Sequence, residues 1–307
     1  MIISASRRTD IPAYYSDWFI RRLKEKYVLV RNPMNYNQVS EVSLDRETLE
    51  CIVFWTKNPY PILKYIDLLE DYNYYFQFTL TSYDHQIERG LPPKSKLVPI
   101  FKKLSSMIGK EKVIWRYDPI LLSDNICLED HFEKFNLLAS KLKNSTQKCV
   151  ISFLDIYPKI SKGIQSENTR ALEHHEMISI AKTFSEIAKS YSLDIETCSE
   201  KINLEEFGIK HSKCIDDGLI KRLFNYSGMG PKDSNQRSEC GCVKSVDIGA
   251  YNTCSNGCVY CYANSQKNIK SKQHIDSPFI TGELDQNDKV IKRKIDMVFS
   301  NQIELMI

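Results

Sequence analysis

The chain has 307 residues, of which 42% are hydrophobic and 26% are charged, proportions typical of a globular rather than a disordered protein. The formal net charge is only +3, so the net charge gives no argument for nucleic-acid binding. No apolar stretch approaches the roughly 18 residues that a membrane helix requires, and the first charges follow a short apolar run, which is not the order of a signal peptide. We therefore predict a cytoplasmic protein with no membrane partner.

Short apolar runs with β propensity alternate with amphipathic helical patterns along the chain. The predicted strands are residues 2–6, 27–31, 51–56, 74–81, 112–117, 149–155, 193–197 and 243–248. The predicted helices are residues 18–26, 59–69, 94–107, 128–142, 169–190 and 216–224, and the charged stretch 289–294 is assigned to the solvated face of a terminal helix.

This alternation is typical of an α/β fold with a parallel sheet and right-handed crossovers. Eight strands predict a (β/α)8-type, TIM-like barrel, or an open variant of it. With no linker rich in glycine, proline or serine to divide the chain, we predict a single barrel domain over residues 1–307. It contains a cysteine-rich segment, residues 198–264, that is predicted to bind clusters.

Polar residues follow nearly every predicted strand, where the active site of such a barrel lies. Each can be a turn or helix cap, but stability alone does not require a ring of them. The ring predicts a functional site, and its members include Ser4, Ser6, Arg7, Arg8, Asp10, Arg31, Lys57, Asp84, Arg116, Asp118, Asp155, Tyr157, Glu196, Cys198 and Glu200.

Cys254, Cys258 and Cys261 stand at positions i, i+4 and i+7. The turn-forming sequence Ser255-Asn256-Gly257 between them predicts a loop rather than a helix. In a cytoplasmic protein cysteines stay reduced, so these thiols indicate a metal or a cluster. Zinc sites usually close with four ligands, whereas three thiolates on a four-iron cluster leave one iron open. The alternatives are buried reduced thiols or a zinc-stabilised loop.

Four further cysteines precede this motif, namely Cys198, Cys214, Cys240 and Cys242. Four is the ligand count of a closed site, so they predict a second 4Fe–4S cluster or a zinc ion. The tight spacing of Cys240 and Cys242 favours iron–sulfur, and the alternative is a set of unrelated buried thiols. The remaining three cysteines are assigned structural roles: Cys51, Cys127 and Cys149.

The CxxxCxxC spacing, with Tyr260 before the last cysteine, resembles the signature of the radical S-adenosylmethionine superfamily. Four segments resemble its spore photoproduct lyase branch: 55–58 (WTKN), 78–84 (FTLTSYD), 88–93 (ERGLPP) and 116–119 (RYDP). In that superfamily the cluster loop follows the first strand, and here it comes last. The resemblance therefore implies a circular permutation in which residues 243–248 lie next to residues 2–6. The whole chain also resembles an uncharacterised bacterial family of unknown function.

The resemblance implies a 4Fe–4S cluster on Cys254, Cys258 and Cys261, with S-adenosylmethionine at the open iron and a reductant such as flavodoxin or ferredoxin. Reductive cleavage would give a 5′-deoxyadenosyl radical acting on an unknown substrate, for which the lyase branch suggests a nucleobase or nucleic-acid lesion. The implied phosphate contacts are Arg7, Arg8, Arg31 and Lys57.

Site residues follow from the same resemblance. Arg116 is a candidate partner for the methionyl carboxylate, since a guanidinium grips a carboxylate with two hydrogen bonds, and Gly282-Glu283 is similar to a Gly-Gly-Glu strand end that binds the amino group. The cofactor-binding candidates are Ser4, Ser6, Asp10, Arg116, Gly282 and Glu283, and the catalytic candidates are Arg116, Lys57 and Tyr260.

Two other functions fit parts of the pattern. One is a non-catalytic iron–sulfur or zinc protein with a structural or redox-sensing role. The other is a barrel hydrolase or nuclease that holds a divalent metal with carboxylates, for which the candidates are Asp10, Asp84, Asp118 and Asp155.

Overall fold

A computed structural model describes residues 1–156, 168–264 and 274–299; the predicted strand-end residue Tyr157 lies outside these ranges. The strands are β1 Ile2–Ala5, β2 Tyr27–Arg31, β3 Gln38–Ser43, β4 Cys51–Thr56, β5 Tyr74–Thr79, β6 Val113–Ile120, β7 Lys148–Phe153, β8 Asp194–Thr197, β9 Lys210–His211, β10 Val246–Asp247 and β11 Lys289–Lys292. The helices are α1 Ile11–Tyr14, α2 Ser16–Glu25, α3 Lys94–Ile108, α4 Leu128–Leu142, α5 His174–Ser190 and α6 Asp217–Phe224, with 3₁₀ helices at Arg46–Thr48, Tyr60–Leu69, Lys110–Lys112 and Glu205–Phe207. None of the described helices combines the length and apolar character needed to cross a lipid bilayer.

Eight strands form a central sheet in the order β10-β1-β4-β5-β6-β7-β8-β9. Every neighbouring pair in it is parallel. The fold is thus mixed α/β with an eight-stranded parallel sheet, an arrangement compatible with the predicted barrel type. Within the described residues β10 and β9 are the two edges of the sheet and do not pair with each other.

Two of the predicted elements are corrected by the structure. Residues 27–31 do form a strand, but β2 pairs antiparallel with β3 in a separate three-stranded sheet. The eighth strand of the central sheet is instead β9, whose two residues are too few to produce a periodic signal. The predicted terminal helix at residues 289–294 is also wrong, because β11 pairs parallel with β3 through four exposed residues.

The predicted position of residues 243–248 next to residues 2–6 in the sheet is confirmed. β10 pairs with β1, with Ile3 opposite Val246 and Ser4 opposite Asp247. Because parallel strands end at the same edge of a sheet, the cysteine loop that follows β10 emerges beside the carboxyl ends of β1 and β4. This register decides where the loop can lie.

The two faces of the sheet bury different parts of the chain. Ile3, Phe54 and Phe76 belong to the larger core cluster, which includes side chains from α2, α3, α4 and α5. The alternate positions Ile2, Val53 and Tyr75 lie in a smaller cluster with Cys214, Ile215, Leu219, Cys240, Cys242 and Val243. Since successive strand side chains point to opposite faces, the segment around residues 214–243 covers the second face and brings three cysteines with it, and Cys198 packs against the same cluster.

The core offers a test of this packing. Phe135 is fully buried, stacks on Phe184 at a ring-centroid distance of 3.8 Å and on Trp115 at 5.1 Å. We expect Phe135→Ala to lower the free energy of unfolding by about 3–5 kcal/mol, because it removes contacts and leaves a cavity. The matched control is Leu137→Ala on the same helix, where the side chain is 52% exposed and the change should stay within about 0.5 kcal/mol. Equal losses in urea unfolding for both variants would contradict this packing.

Candidate functional site

The carboxyl ends of the central strands border a cavity of about 800 Å³. Both cysteine sets line it, and so do many of the predicted strand-end residues. The lining includes Ser6, Arg7, Arg8, Asp10, Lys57, Arg116, Asp118, Asp155, Cys198, Glu200, Cys214, Cys240, Cys242, Cys254, Cys258, Tyr260 and Cys261. The structure thus brings seven cysteines and a group of charged side chains to one space.

The cysteine loop is fastened at its middle residue, Asn256. Its amide nitrogen donates to Asp10 at 3.1 Å, and its amide oxygen accepts from the Tyr14 hydroxyl at 2.7 Å. On the other side, Gly90 N donates to the Asn256 carbonyl at 2.9 Å, and Val259 N donates to the Ile87 carbonyl at 3.0 Å. The loop is therefore held between the turn after β1 and the segment 87–90.

Two glycines permit this arrangement. A Cβ atom on Gly90 would stand 2.2 Å from the carbonyl oxygen of Ser255, so a larger residue would push the loop away. Gly257 has φ of +63°, in the left-handed region that favours glycine. Residues 254–261 are not helical, as the sequence Ser255-Asn256-Gly257 predicts.

The motif cysteines are buried or half-buried at the cavity wall. Burial raises the pKa of Cys254 to about 12, and burial likewise raises the pKa values of Cys258 and Cys261. Without a bound cation these thiols hold their protons near neutral pH. A metal or cluster would bind them as thiolates and release those protons.

A buried carboxylate, Glu88, supports the residue before the last cysteine. It accepts from Lys57 at 2.8 Å and also from Lys94 and the Tyr260 hydroxyl. Although burial acts to raise it, the pKa of Glu88 is lowered to about 2 by the two ammonium groups. Lys57 also donates to the Tyr260 oxygen at 2.8 Å. The catalytic candidates Lys57 and Tyr260 are thus part of one buried ionic network.

Glu88 was part of a matching sequence segment, but its position as the centre of a network was not predicted. Its partners lie up to 172 positions away in the chain. No local pattern could have shown that Lys57, Lys94 and Tyr260 meet on it.

Arg116 lies fully buried beside the second cysteine set. Its Nε and Nη2 donate to Asp118 Oδ2 at 2.9 and 2.5 Å, and Nη1 donates to Cys214 Sγ at 2.9 Å. Ser152 donates to the other oxygen of Asp118. Two of the guanidinium hydrogen bonds are therefore already made to a carboxylate of the chain itself, both to one oxygen.

The four other cysteines are brought together from three parts of the chain. Cys198 and Cys214 have their sulfurs 3.0 Å apart, and the hydrogen bond from Cys214 lowers the pKa of Cys198 to about 7. Interaction with the side chains of Cys214 and Cys240 lowers the pKa of Cys242. These contacts run pairwise in a chain; in the described part of the protein, no three His, Cys, Asp or Glu side chains are arranged to hold a single metal ion.

The serines predicted to bind cofactor mainly hold the sheet together. Ser4 and Ser6 donate to the two oxygens of Asp247, at 3.0 and 2.6 Å. Asp247 also accepts from the backbone nitrogens of Arg7 and Gly249. Of the two serines only Ser6 lines the cavity. The part played by Asp247 was missed by the sequence analysis.

Asp10 has a similar positioning role. It caps α1 by accepting from Ala13 N at 3.0 Å, and it accepts from Lys57 N at 2.8 Å as well as from Asn256. Burial raises its pKa in spite of these bonds. Asp10 therefore joins β1, β4 and the cysteine loop at the cavity wall.

Gly282 and Glu283 are not brought to the cavity, which corrects their predicted assignment. They lie beside the three-stranded sheet, where the Glu283 carbonyl accepts from Arg31 at 2.7 Å. Gly282 has φ of +80°, as in an ordinary turn. Arg31, a predicted phosphate contact, is ion-paired there with Asp288 at 2.5 Å.

The cavity is lined by further polar groups, and Glu200 and Arg7 among them belong to the predicted ring of strand-end residues. Burial raises the pKa of Glu200 to about 8, so its carboxyl group is largely protonated at neutral pH. Four buried polar atoms of lining residues have no hydrogen-bond partner among the described residues: Arg7 Nη2, Thr9 Oγ1, Ser199 Oγ and Asn264 Oδ1. Such atoms usually have partners in native proteins, so they indicate groups that a ligand satisfies.

These observations define a class of protein: an α/β protein with a cysteine-lined cavity at the carboxyl edge of a parallel sheet. The chain belongs to the DUF1848 family, whose model, a domain of unknown function, matches residues 2–263. No match was found among curated proteins. One similar solved structure is that of a provisionally assigned alpha-L-fucosidase from Bacteroides thetaiotaomicron, with 11% identity and a TM-score of 0.29 over 72% of this chain and 80% of that one. A likeness this low carries no inference about function.

The Glu88 network predicts a specific pH dependence of stability. Against the effect of burial, Lys57 and Lys94 lower the pKa of Glu88 from its ordinary 4.5 to about 2. Ionised Glu88 therefore stabilises the fold fully above pH 4.5, and this contribution is lost as the pH falls toward 2. Glu88→Gln should cost about 3–5 kcal/mol at pH 7, because it leaves two ammonium groups without their buried partner.

The matched control is Glu206→Gln, at an exposed position. Urea unfolding measured from pH 7 down to pH 3 should show a shallower loss of stability in Glu88→Gln than in the wild type and in the control. Parallel pH profiles for all three proteins would contradict the ionised state of Glu88.

Proposed function

We propose that this chain is a radical S-adenosylmethionine enzyme, which cleaves S-adenosylmethionine reductively at a 4Fe–4S cluster to generate a 5′-deoxyadenosyl radical. The observation that carries the proposal is the position of Cys254, Cys258 and Cys261. They lie on one non-helical loop at the carboxyl edge of the parallel sheet, and all three line the same cavity.

The residues present fit such a cofactor pair. Three local thiols match a cluster with one iron left for a small-molecule ligand. Four buried atoms without a hydrogen-bond partner in the part of the chain that the structure describes would supply donors and acceptors for that ligand: Arg7 Nη2, Thr9 Oγ1, Ser199 Oγ and Asn264 Oδ1. A cavity of about 800 Å³ is within the size range of cofactor sites.

When an external reductant such as flavodoxin or ferredoxin supplies an electron, the cofactor pair provides the radical chemistry, and the protein provides binding, orientation and electrostatics. Cys254, Cys258 and Cys261 would hold the cluster. Lys57 and Glu88 fix the Tyr260 hydroxyl and so limit the movement of the loop next to Cys261.

Other lining residues would act on the substrate. The guanidinium groups of Arg7 and Arg116 lie 5.2 and 5.3 Å from the centre of the Trp55 ring, which makes a cationic and aromatic wall. Glu200, with a pKa near 8, can give or take a proton close to neutral pH. The wall suits an anionic or planar substrate.

A nucleobase or nucleic-acid lesion is the substrate class that we propose on this basis. Arg7 and Arg8 line the cavity and can contact phosphate, whereas Lys57 is engaged by Glu88 and Tyr260. This part of the proposal uses analogy with the lyase branch, and Arg31 no longer contributes to it.

The hydrolase alternative is not favoured by the geometry. Asp118 is paired with Arg116 and Asp155 with Arg237, while Asp10 is enclosed by the hydrogen bonds described above. Asp84 caps a turn by accepting from Gln86 N and is not a lining residue. These four carboxylates are committed to separate partners.

The proposal is tested by anaerobic reconstitution with iron and sulfide, followed by reduction in the presence of S-adenosylmethionine. We expect 5′-deoxyadenosine from the wild type and only the protein-free background from a Cys254→Ala/Cys258→Ala/Cys261→Ala variant. The matched control is Cys127→Ser, since Cys127 is exposed and serine serves well as a helix N-cap at that position.

Iron-loaded wild type that neither binds nor cleaves S-adenosylmethionine would contradict the proposal. That result would favour the alternative, a non-catalytic iron–sulfur or zinc protein with a structural or redox-sensing role.

A further inference from the structure

The second cysteine set is assembled from three separate parts of the chain. Cys198 directly follows β8, Cys214 comes three residues after β9, and Cys240 and Cys242 lie shortly before β10. All four line the cavity. Their convergence is a property of the fold, because the two outer members are 44 positions apart in the sequence.

The four thiols interact with each other. Cys198 and Cys214 touch at 3.0 Å between sulfurs, and the side chain of Cys242 interacts with those of Cys214 and Cys240. The Ile215 backbone nitrogen also donates to Cys242 Sγ at 3.3 Å. A protein interior fills such a space with apolar side chains at lower cost, so four convergent sulfurs need an explanation.

Positive charge surrounds this group. Arg116 Nη1 donates to Cys214 Sγ at 2.9 Å, and the Arg7 guanidinium interacts electrostatically with Cys242 and Cys214. Guanidinium groups next to cysteine stabilise the thiolate, which is the form that binds metal. Donors to a ligating sulfur also orient it and tune the metal.

We propose that Cys198, Cys214, Cys240 and Cys242 bind a second metal centre as four thiolate ligands, at the same cavity as the three-cysteine loop. The proposal does not rest on the radical function, since a four-thiolate centre is compatible with a catalytic or a structural role for the first set. On binding, four metal–sulfur bonds form and the four thiol protons leave to solvent.

Metal binding requires these side chains to rearrange, because among the described residues the sulfurs do not surround one ion position. Tetrahedral coordination with zinc–sulfur bonds of about 2.3 Å places neighbouring sulfurs about 3.8 Å apart, compared with 3.0 Å between Cys198 and Cys214. Deprotonated sulfurs would repel and separate around a cation.

Two kinds of metal centre take four thiolate ligands, an iron–sulfur cluster and a zinc ion. The N–H donor from Arg116 and the position at the cavity favour the cluster, because hydrogen bonds to sulfur set the potential of such centres. A zinc ion would instead have a structural role, linking the segments that follow β8 and β9 to the segment before β10. The measurement below separates them.

The experiment counts iron, sulfide and zinc per chain after anaerobic purification and reconstitution. It compares the wild type, the Cys254→Ala/Cys258→Ala/Cys261→Ala variant, a Cys198→Ser/Cys214→Ser/Cys240→Ser/Cys242→Ser variant, and the Cys127→Ser control. We expect the variant of the first set to retain one centre, about four irons for a cluster or one zinc, and the variant of the second set to lose that centre.

A second measurement on the wild type alone guards against a variant that fails to fold. Alkylation with mass spectrometry should show Cys198, Cys214, Cys240 and Cys242 protected in the loaded protein and modified after acid and chelator treatment under denaturing conditions. Modification of these four in the loaded, folded protein would overturn the proposal, as would equal metal content in the wild type and the variant of the second set.

The outcomes keep the two proposals apart. A protein that retains the second centre but does not cleave S-adenosylmethionine removes the proposed function and supports this inference. A protein that cleaves S-adenosylmethionine but has the same metal content with and without the second set supports the proposed function and removes this inference.

Discussion

Asp247 joins the last strand of the central sheet to the first. Its carboxylate accepts from Ser4, Ser6 and two backbone nitrogens, and it stands where β10 pairs with β1. The cysteine loop begins seven residues after it. This pairing sets where the loop leaves the sheet, and the contacts of Asn256 with Asp10 and Tyr14 then fix it at the cavity wall. The site therefore depends on a contact between residues more than 240 positions apart.

Buried charges then hold the cavity wall. Asp10 and Glu88 are buried and tie strand ends to loops, and half-buried Asp118 ties Arg116 of β6 to Ser152 of β7. Burying a charge is costly, and a buried ion pair often adds little net stability. Its value here is positional, because a carboxylate with three or four donors allows only one arrangement of the segments that carry them. This explains why so many polar residues follow the strands.

Much of the fold could be predicted because its signals are local. β4, β5 and β7 are apolar on consecutive positions, and α4 has the bounds that its periodicity predicts. The failures concern pairing. A strand pattern such as that of β2 does not indicate which sheet the strand joins, and β9 is too short for any pattern. At β11 a charged stretch with two β-branched residues was assigned to a helix, and only its pairing with β3 decides otherwise.

The sequence by itself determined the chemical inventory of the site: three cysteines in a loop with turn residues between them, four more cysteines before it, and polar residues after the strands. Those features depend on spacing and residue type, which are local. Only the tertiary structure decided that both cysteine sets line one cavity, that Glu88 is the centre of the Lys57 and Tyr260 network, and that Gly282 and Glu283 lie elsewhere. These facts depend on contacts between distant residues and on burial, and burial also sets the raised pKa of Glu200.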